Sequence, residues 1–321
     1  MKKTINDVFD KMQEFYPKLS KSHKKIADFL LKNYENASDM SAIKISRKVM
    51  VSEATVVRFA VTMGFDGYPE FRRELKSAVN NRLTTLERID MAVLEKQNAR
   101  EKQNVQNAQS EQKDEDEVQK EAQTRNTLMH ILTEDGKCLS QTMEVYNQRD
   151  FYQSVKKIHR ARRIIILGYR TSRVLAEHMG YYLNLILEDV RVANYGIAND
   201  FELLMKIGEE DLVIAMSFPR YSKRILDALK YVKKQGATII VLTDSDTSPI
   251  CTFADCKLIA KSNVYSFVDS LVAPLSLINA LIVAVGLQNV DHTKMTFEKL
   301  ENLWEENVIY TNLHQNRSEK K

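Results

Sequence analysis

Apolar positions follow two rhythms along this chain. Up to residue 82 they recur every three or four residues, the period of a helix with one buried face. Val8, Met12 and Phe15 predict a first helix, ended by Pro17. Ser20 caps a second that runs through Tyr34, with Ile26, Phe29 and Leu30 inward. Between Ser41 and Gly64 the pattern predicts two short helices and a tight turn. Ile45, Val49, Val51, Val56 and Phe59 fall where a helix-turn-helix needs contacts between its helices. Ser46 is small where those helices cross, and Ser52 caps the second one. Val56, Phe59, Ala60 and Met63 give that helix its buried stripe. Phe65-Asp-Gly-Tyr-Pro reads as a turn, and Pro69 opens a further helix carrying Phe71, Leu75 and Val79.

The second rhythm begins beyond Phe151, where short β-rich runs alternate with helical ones. Candidate strands are Ile164–Leu167, Val190–Asn194, Leu212–Ser217, Thr238–Thr243 and Lys257–Ala260. Helical patterns lie at 173–188, 200–207, 222–235 and 267–287, followed by a final amphipathic helix at 293–308. Four of the strands are almost continuously apolar, as strands covered on both faces must be. This alternation predicts a five-stranded parallel sheet flanked by helices, with right-handed crossovers. The fold class expected is an all-α helix-turn-helix domain followed by an α/β domain. Between the two, Glu95 to Asn126 is rich in Gln, Asn, Lys and Glu and has no aromatic residue, Gly or Pro. It cannot bury a core and reads as a tether, disordered or weakly helical, with a long exposed helix as the alternative for part of it. The expected divisions are 1–82, a linker at 83–126, the α/β domain at 127–310 and a tail at 311–321.

Charge sharpens the picture for the first part. Residues 1–82 carry 16 Lys+Arg against 10 Asp+Glu, while the whole chain is only +4. Positive charge therefore gathers around the helix-turn-helix, as phosphate contact requires. A polar helix N-terminus presented by such a motif can enter the DNA major groove. Ser52, Glu53, Thr55 and Arg58 are the expected base-reading residues, with Lys48 on a phosphate. The three cysteines are sparse and form no Cys-x-x-Cys pair, which suggests neither a disulfide framework nor a thiolate metal site. No cofactor or metal is expected, and a reducing cytoplasm fits best. The most apolar run, Leu271–Leu287, is interrupted by Pro274, Ser276 and Asn279 and reads as a buried helix, not a membrane span.

In an open parallel sheet, ligands bind beyond the carboxyl ends of the strands. Gly168-Tyr-Arg-Thr-Ser follows the first strand and precedes a helix. Gly168 would allow the sharp turn, and Thr171 and Ser172 with free N–H groups would suit a phosphate. Ser217-Phe-Pro-Arg-Tyr-Ser repeats the arrangement after the third strand, and Thr243-Asp-Ser follows the fourth. Arg170 and Arg220 could add bidentate contacts to phosphate or carboxylate. The expected anion-site residues are Gly168, Arg170, Thr171, Ser172, Ser217, Arg220, Ser222 and Thr243, with Ser266–Ser270 as a possible rim. Neither a dinucleotide fingerprint nor a P-loop is present.

These residues resemble the RpiR family of bacterial transcription regulators. Leu19-Ser-Lys-Ser-His-Lys-Lys-Ile-Ala-Asp-Phe-Leu, Val51-Ser-Glu-Ala-Thr-Val-Val-Arg-Phe and Gly64-Phe-Asp-Gly-Tyr-Pro-Glu-Phe resemble the family's DNA-binding domain. Gly168–Ser172, Ser217–Ser222, Thr243-Asp and Ser248-Pro resemble loops of a sugar isomerase (SIS) domain. The resemblance implies a double-stranded DNA operator, sensing of a phosphorylated sugar or related metabolite, and a homodimer or homotetramer. Two departures stand out: Met50 sits where Gly is usual in the turn, and Pro219-Arg220 replaces the Ser-Gly common in SIS enzymes. Isomerisation needs a base near an acidic C–H. Glu177, His178, Glu202 and Asp269 form no recognisable acid/base pair in sequence. A sensor is therefore expected, in which ligand alters subunit packing and so operator binding. The alternatives are a phosphosugar isomerase or lyase carrying a DNA-binding domain and, third, a scaffold whose helix-turn-helix binds protein.

Overall fold

The computed structural model describes residues 8–38, 40–82, 85–89, 115–193 and 200–307. The stretch 90–114, which holds most of the expected tether, and the tail beyond 307 lie outside the described residues.

The first domain is helical, as the periodicity predicts. Its elements are α1 (Val8–Phe15), α2 (Lys21–Lys32), α3 (Tyr34–Ala37), α4 (Ala42–Val49), α5 (Glu53–Thr62) and α6 (Tyr68–Arg82). A helical segment at 85–89, here α7, follows. Serine hydroxyls cap three of these helices by accepting from backbone N–H groups: Ser20 from His23, Ser41 from Lys44 and Ser52 from Thr55. One core holds them together, built around Phe9, Met12, Ile26, Leu30, Ile45, Val56, Phe59, Phe71 and Leu75, all fully buried. Phe59 meets Phe71 edge to face at 5.6 Å, and Phe71 meets Phe65 at 5.5 Å.

The second domain opens with two helices, α8 (Glu115–Val145) and α9 (Gln148–Arg160). It continues β1 (Ile164–Gly168), α10 (Ser172–Ile186), β2 (Val190–Val192), α11 (Asp200–Leu204), β3 (Leu212–Met216), α12 (Lys223–Lys234), β4 (Thr238–Thr243) and β5 (Cys256–Ile259). All five strands are parallel, in the order β2-β1-β3-β4-β5. Their apolar runs serve both faces. Ile164, Ile166, Ile214 and Leu242 pack under α10 and the later helix Val272–Gly286, whereas Ile165, Leu167, Val213 and Val241 pack under α12. The described residues end with a hairpin, β6 (Val264–Tyr265) and β7 (Val268–Asp269), then α13 (Val272–Gly286) and α14 (Val290–Glu306). By length and composition the helical run Val272–Glu306 is apolar enough to cross a membrane. Its Ala273, Ile278, Leu281 and Val285 are instead buried against the sheet.

Two expectations need correction, and a third offers alternatives. The helix expected from 267 starts at Val272. The preceding residues form the β6–β7 hairpin, turned by Ser266 at φ 60°. The expected strand to Asn194 ends at Val192. For the tether, the described end takes the helical alternative: α8 runs from Glu115 across residue 127. Its first part, 115–126, has Val118 as its only large apolar residue and so shows no buried stripe. Asp135 accepts from Tyr265 and Ser270, and Thr142 accepts from the N–H of Lys261 at 2.9 Å.

At the far end of the sheet Asp211 ties strand to helix. Its carboxylate accepts from Arg162 at 3.0 and 2.9 Å and from the N–H of Gly208 at 2.9 Å. Burial alone would raise its pKa, but the Arg162 and Gly208 donors outweigh that and hold it below the ordinary carboxylate value.

Candidate DNA-reading face and anion site

Helix α4 stops because Met50 enters the left-handed region, at φ 53° and ψ 54°. The turn is the one a glycine would make without strain. Met50 itself is 88% exposed, so its side chain contributes no packing that offsets the strain. After the turn, Ser52 caps α5 and aims the helix N-terminus outward. Val56, Phe59 and Ala60 face the core, leaving Ser52, Glu53 and Arg58 exposed and Thr55 half-buried. Ser52 Oγ and Thr55 Oγ1 lie 2.7 Å apart, and Arg58 Nη2 donates to Thr55 Oγ1 at 3.4 Å. Three of the five expected DNA contacts thus form one hydrogen-bonded row along α5. Lys48 is exposed on α4 beside exposed Lys44 and Arg47.

Behind the row, His23 stacks edge-on against Phe59 at 5.6 Å. Burial first, then the charge of Arg58, hold the His23 pKa below its usual value. Sequence reasoning favours polar residues and passes over Val57 and Val61, 38% and 57% exposed on the same helix. Such an apolar side chain beside a polar row is what a thymine methyl contacts.

In the second domain, the loops after β1 and β3 are built alike. Each places a buried aromatic (Tyr169, Phe218), then an arginine at positive φ (Arg170 at 56°, Arg220 at 67°), then a serine at the start of a helix (Ser172, Ser222). Two non-glycine residues in the left-handed region at equivalent places are a form of stored strain that concentrates at functional sites. The sharp turn expected of Gly168 is therefore made by Arg170. Gly168 is required for another reason: a Cβ there would sit 2.5 Å from Ser172 O and 2.8 Å from Ala176 Cβ. Its absence lets the N-terminus of α10 close down on the strand end.

The remaining expected site residues divide by exposure. Thr171 is exposed and its hydroxyl donates to Asp269 at 3.1 Å, which brings the β6–β7 hairpin to this loop. Ser172 is buried at the first turn of α10. Ser217 Oγ accepts from the N–H of Ser222 at 3.3 Å and so closes the second loop. Thr243 is fully buried, with its hydroxyl bonded to Ser217 O and Ser248 Oγ at 2.7 and 2.8 Å. It braces two loops from below and does not face an opening. Asp244, the next residue of the third expected loop, is buried behind it and accepts from Tyr221 at 2.9 Å. Burial holds its pKa above the ordinary value.

Of the candidate bases, Asp269 reaches the first loop through Thr171, whereas Glu177 and His178 are engaged elsewhere. Glu177 pairs with Arg173 at 2.7 Å, and His178 bonds Asn279 at 2.8 Å. Among the described residues no group of three or more His, Cys, Asp or Glu could hold a metal ion.

Known proteins match both halves. A helix-turn-helix model of the rpiR family matches residues 6–82, and a SIS domain model matches residues 157–284. The chain belongs to the RpiR family. It is a helix-turn-helix transcriptional regulator with a SIS domain. An uncharacterized HTH-type transcriptional regulator of Haemophilus influenzae is 29% identical over 256 residues, 79% of each chain. The regulator HexR of Pseudomonas aeruginosa is 20% identical over 292 residues, 88% of this chain and 90% of that one. Among solved structures, the sugar isomerase domain of an RpiR transcription factor from Sphaerobacter thermophilus aligns with 54% of this chain and 97% of its own. Its TM-score is 0.52 and its identity 24%. NanR of Vibrio vulnificus, complexed with ManNAc-6P, aligns with 95% of this chain and all of its own, at TM-score 0.52 and 17% identity. At these identities the likeness carries the fold alone.

Proposed function

We propose that this RpiR-family regulator senses a phosphorylated sugar, or a metabolite with similar anionic chemistry, and that the ligand alters operator binding. The observation that carries the reading is the pair of matched loops after β1 and β3, each with a strained arginine and a serine at a helix start. A helix N-terminus offers unsatisfied N–H groups, and a guanidinium beside it supplies the charge that phosphate needs. Gly168, Arg170, Thr171, Ser172, Ser217, Arg220 and Ser222 are the proposed contacts, with Thr243 as a brace. NanR, which shares this fold, is complexed with ManNAc-6P, and this supports the ligand class.

Ser52, Glu53, Thr55 and Arg58 are proposed to read base edges and Lys48 to hold a phosphate. The second domain is proposed to bind without turnover: Glu177 and His178 are engaged elsewhere, and a sensor needs only differential affinity between two states. Exposed apolar residues on α8 (Leu128, Met129, Leu132), α10 (Tyr181, Tyr182) and α14 (Met295, Leu303) support a homo-oligomer. The proposed compartment is the cytoplasm, where three buried free thiols are at home.

A panel of phosphorylated sugars, scored by thermal shift and then by conversion to product, tests the reading. The expected result is a shift of several degrees with one compound and no product. Turnover of that compound would favour the phosphosugar isomerase reading, and no shift with any compound would end the sensor reading.

A further inference from the structure

Helices α6 and α7 are not confined to the first domain. They reach the carboxyl ends of the sheet and meet the loops in and around the proposed anion site at three points. Glu74 on α6 accepts from Thr247 at 3.4 Å and lies close enough to Lys261 and Asp244 to feel both charges. Thr85 accepts from Arg220 Nη1 at 3.0 Å. Arg88 is only 7% exposed, with its guanidinium 3.8 Å from Asp269. Asp269 is the carboxylate that also accepts from Thr171, in the loop after β1. A buried arginine from the segment leading out of the DNA-binding domain therefore stands at the rim of the phosphate loops. Burial acts first against the charge of this guanidinium. Asp269 opposes that effect and Arg220 adds to it, so the two guanidinium groups feel each other.

We infer that Arg88 is part of the ligand site: an anionic group bound between the loops after β1 and β3 is held by Arg88 and Arg220 together and so fixes α6–α7 against the SIS domain. This rests on the proposed anion site and adds to it a route to the DNA-binding face. Two like charges brought together in a partly desolvated place repel, and a dianion between them reverses the sign of that interaction. Asp269 is the stand-in when no ligand is bound. Ligand would take Arg88 from Asp269 without breaking the seat of α7. Because α6 carries Phe71 and Leu75 into the core that also holds α5, its position sets where the recognition helix points.

The test uses the full chain and inorganic phosphate, at ionic strength matched with chloride. Thermal stability against phosphate concentration gives an apparent affinity, and small-angle scattering gives compactness. The expected result is that phosphate stabilises and compacts the native protein. Arg88→Ala should weaken phosphate binding about tenfold and abolish the compaction. Arg88→Lys should keep part of both, since a point charge replaces the fork. Asp269→Asn removes the competitor and should tighten phosphate binding a few-fold, a gain that misfolding cannot imitate. If Arg220→Ala abolishes phosphate binding while Arg88→Ala and Asp269→Asn leave it unchanged, the anion site stands and this inference falls. If phosphate does not bind the native protein, or no variant alters its binding, the anion site falls with it.

Discussion

Replacing Gly168 with alanine tests the architecture of the first phosphate loop. The added Cβ would lie 2.5 Å from the carbonyl oxygen of Ser172 and 2.8 Å from Ala176 Cβ. One obstacle is backbone and the other is a methyl fixed to it, so neither can rotate away. The first turn of α10 must retreat by roughly 1 Å to restore ordinary contact. Overpacking of this kind costs about 1–3 kcal/mol. Alanine recovers about 0.5–1 kcal/mol by restricting the unfolded chain. A net loss of about 1–2 kcal/mol is expected, or about 3–6 °C for a domain of this size. The same retreat carries Thr171 and Ser172 away from the loop after β3, so phosphate affinity should fall about tenfold, the worth of one charge-assisted hydrogen bond. Calorimetric melting and a phosphate titration measure the two effects. Adding Ala176→Gly should not rescue either, because the Ser172 carbonyl remains in the way. Native stability and native phosphate affinity in Gly168→Ala would refute the close-approach argument.

Other outcomes follow from the same structure. Met50→Gly should stabilise the helix-turn-helix by about 0.5 kcal/mol, as relief of left-handed strain exceeds the added unfolded-state freedom; a lower urea midpoint would contradict this. Asp211→Asn should cost about 1 kcal/mol at pH 7, discounted because Arg162 is half exposed. The native Asp211 pKa lies below its unfolded value of about 3.9. The carboxylate therefore stabilises above that value, and the gap between variant and native protein should close as pH falls through the folded pKa. A gap independent of pH would show that the charge is not responsible. Arg58→Ala should weaken operator binding by about 1–3 kcal/mol and non-specific DNA binding by less, read by fluorescence anisotropy at fixed salt. Equal losses on both would make Arg58 a backbone contact.

What was legible in the sequence follows from the length scale of each signal. Helix α5 could be read because Val56, Phe59, Ala60 and Met63 bury one stripe and Ser52 caps it locally. Strands β1, β3 and β4 could be read because both faces are covered, which leaves four or five apolar residues in a row. Helix α9 had a usable signal, Phe151, Val155 and Ile158 at helical spacing behind the cap of Asn147. Helix α8 had none over 115–126, where Val118 is the only large apolar residue, although Leu128, Ile131, Leu132 and Leu139 recur at helical spacing beyond it. The β6–β7 hairpin is two residues per strand, too short for any alternation to register. In the site, serine and arginine positions could be read from the loops, but the buried state of Thr243 could not. Its three-fold hydrogen bonding depends on Ser217 and Ser248, which only the fold brings together. The approach of Arg88 to Asp269 spans two domains, and no local pattern encodes it.

The most direct measurement is the affinity of the full chain for promoter DNA, at one salt concentration, with and without the phosphosugar that stabilises it. Coupling through the α6–α7 seat predicts a change of about five- to a hundredfold, the range expected when two sites share one conformational equilibrium. A bound phosphosugar that leaves DNA affinity unchanged would contradict the account, whatever the contacts of the two sites taken separately.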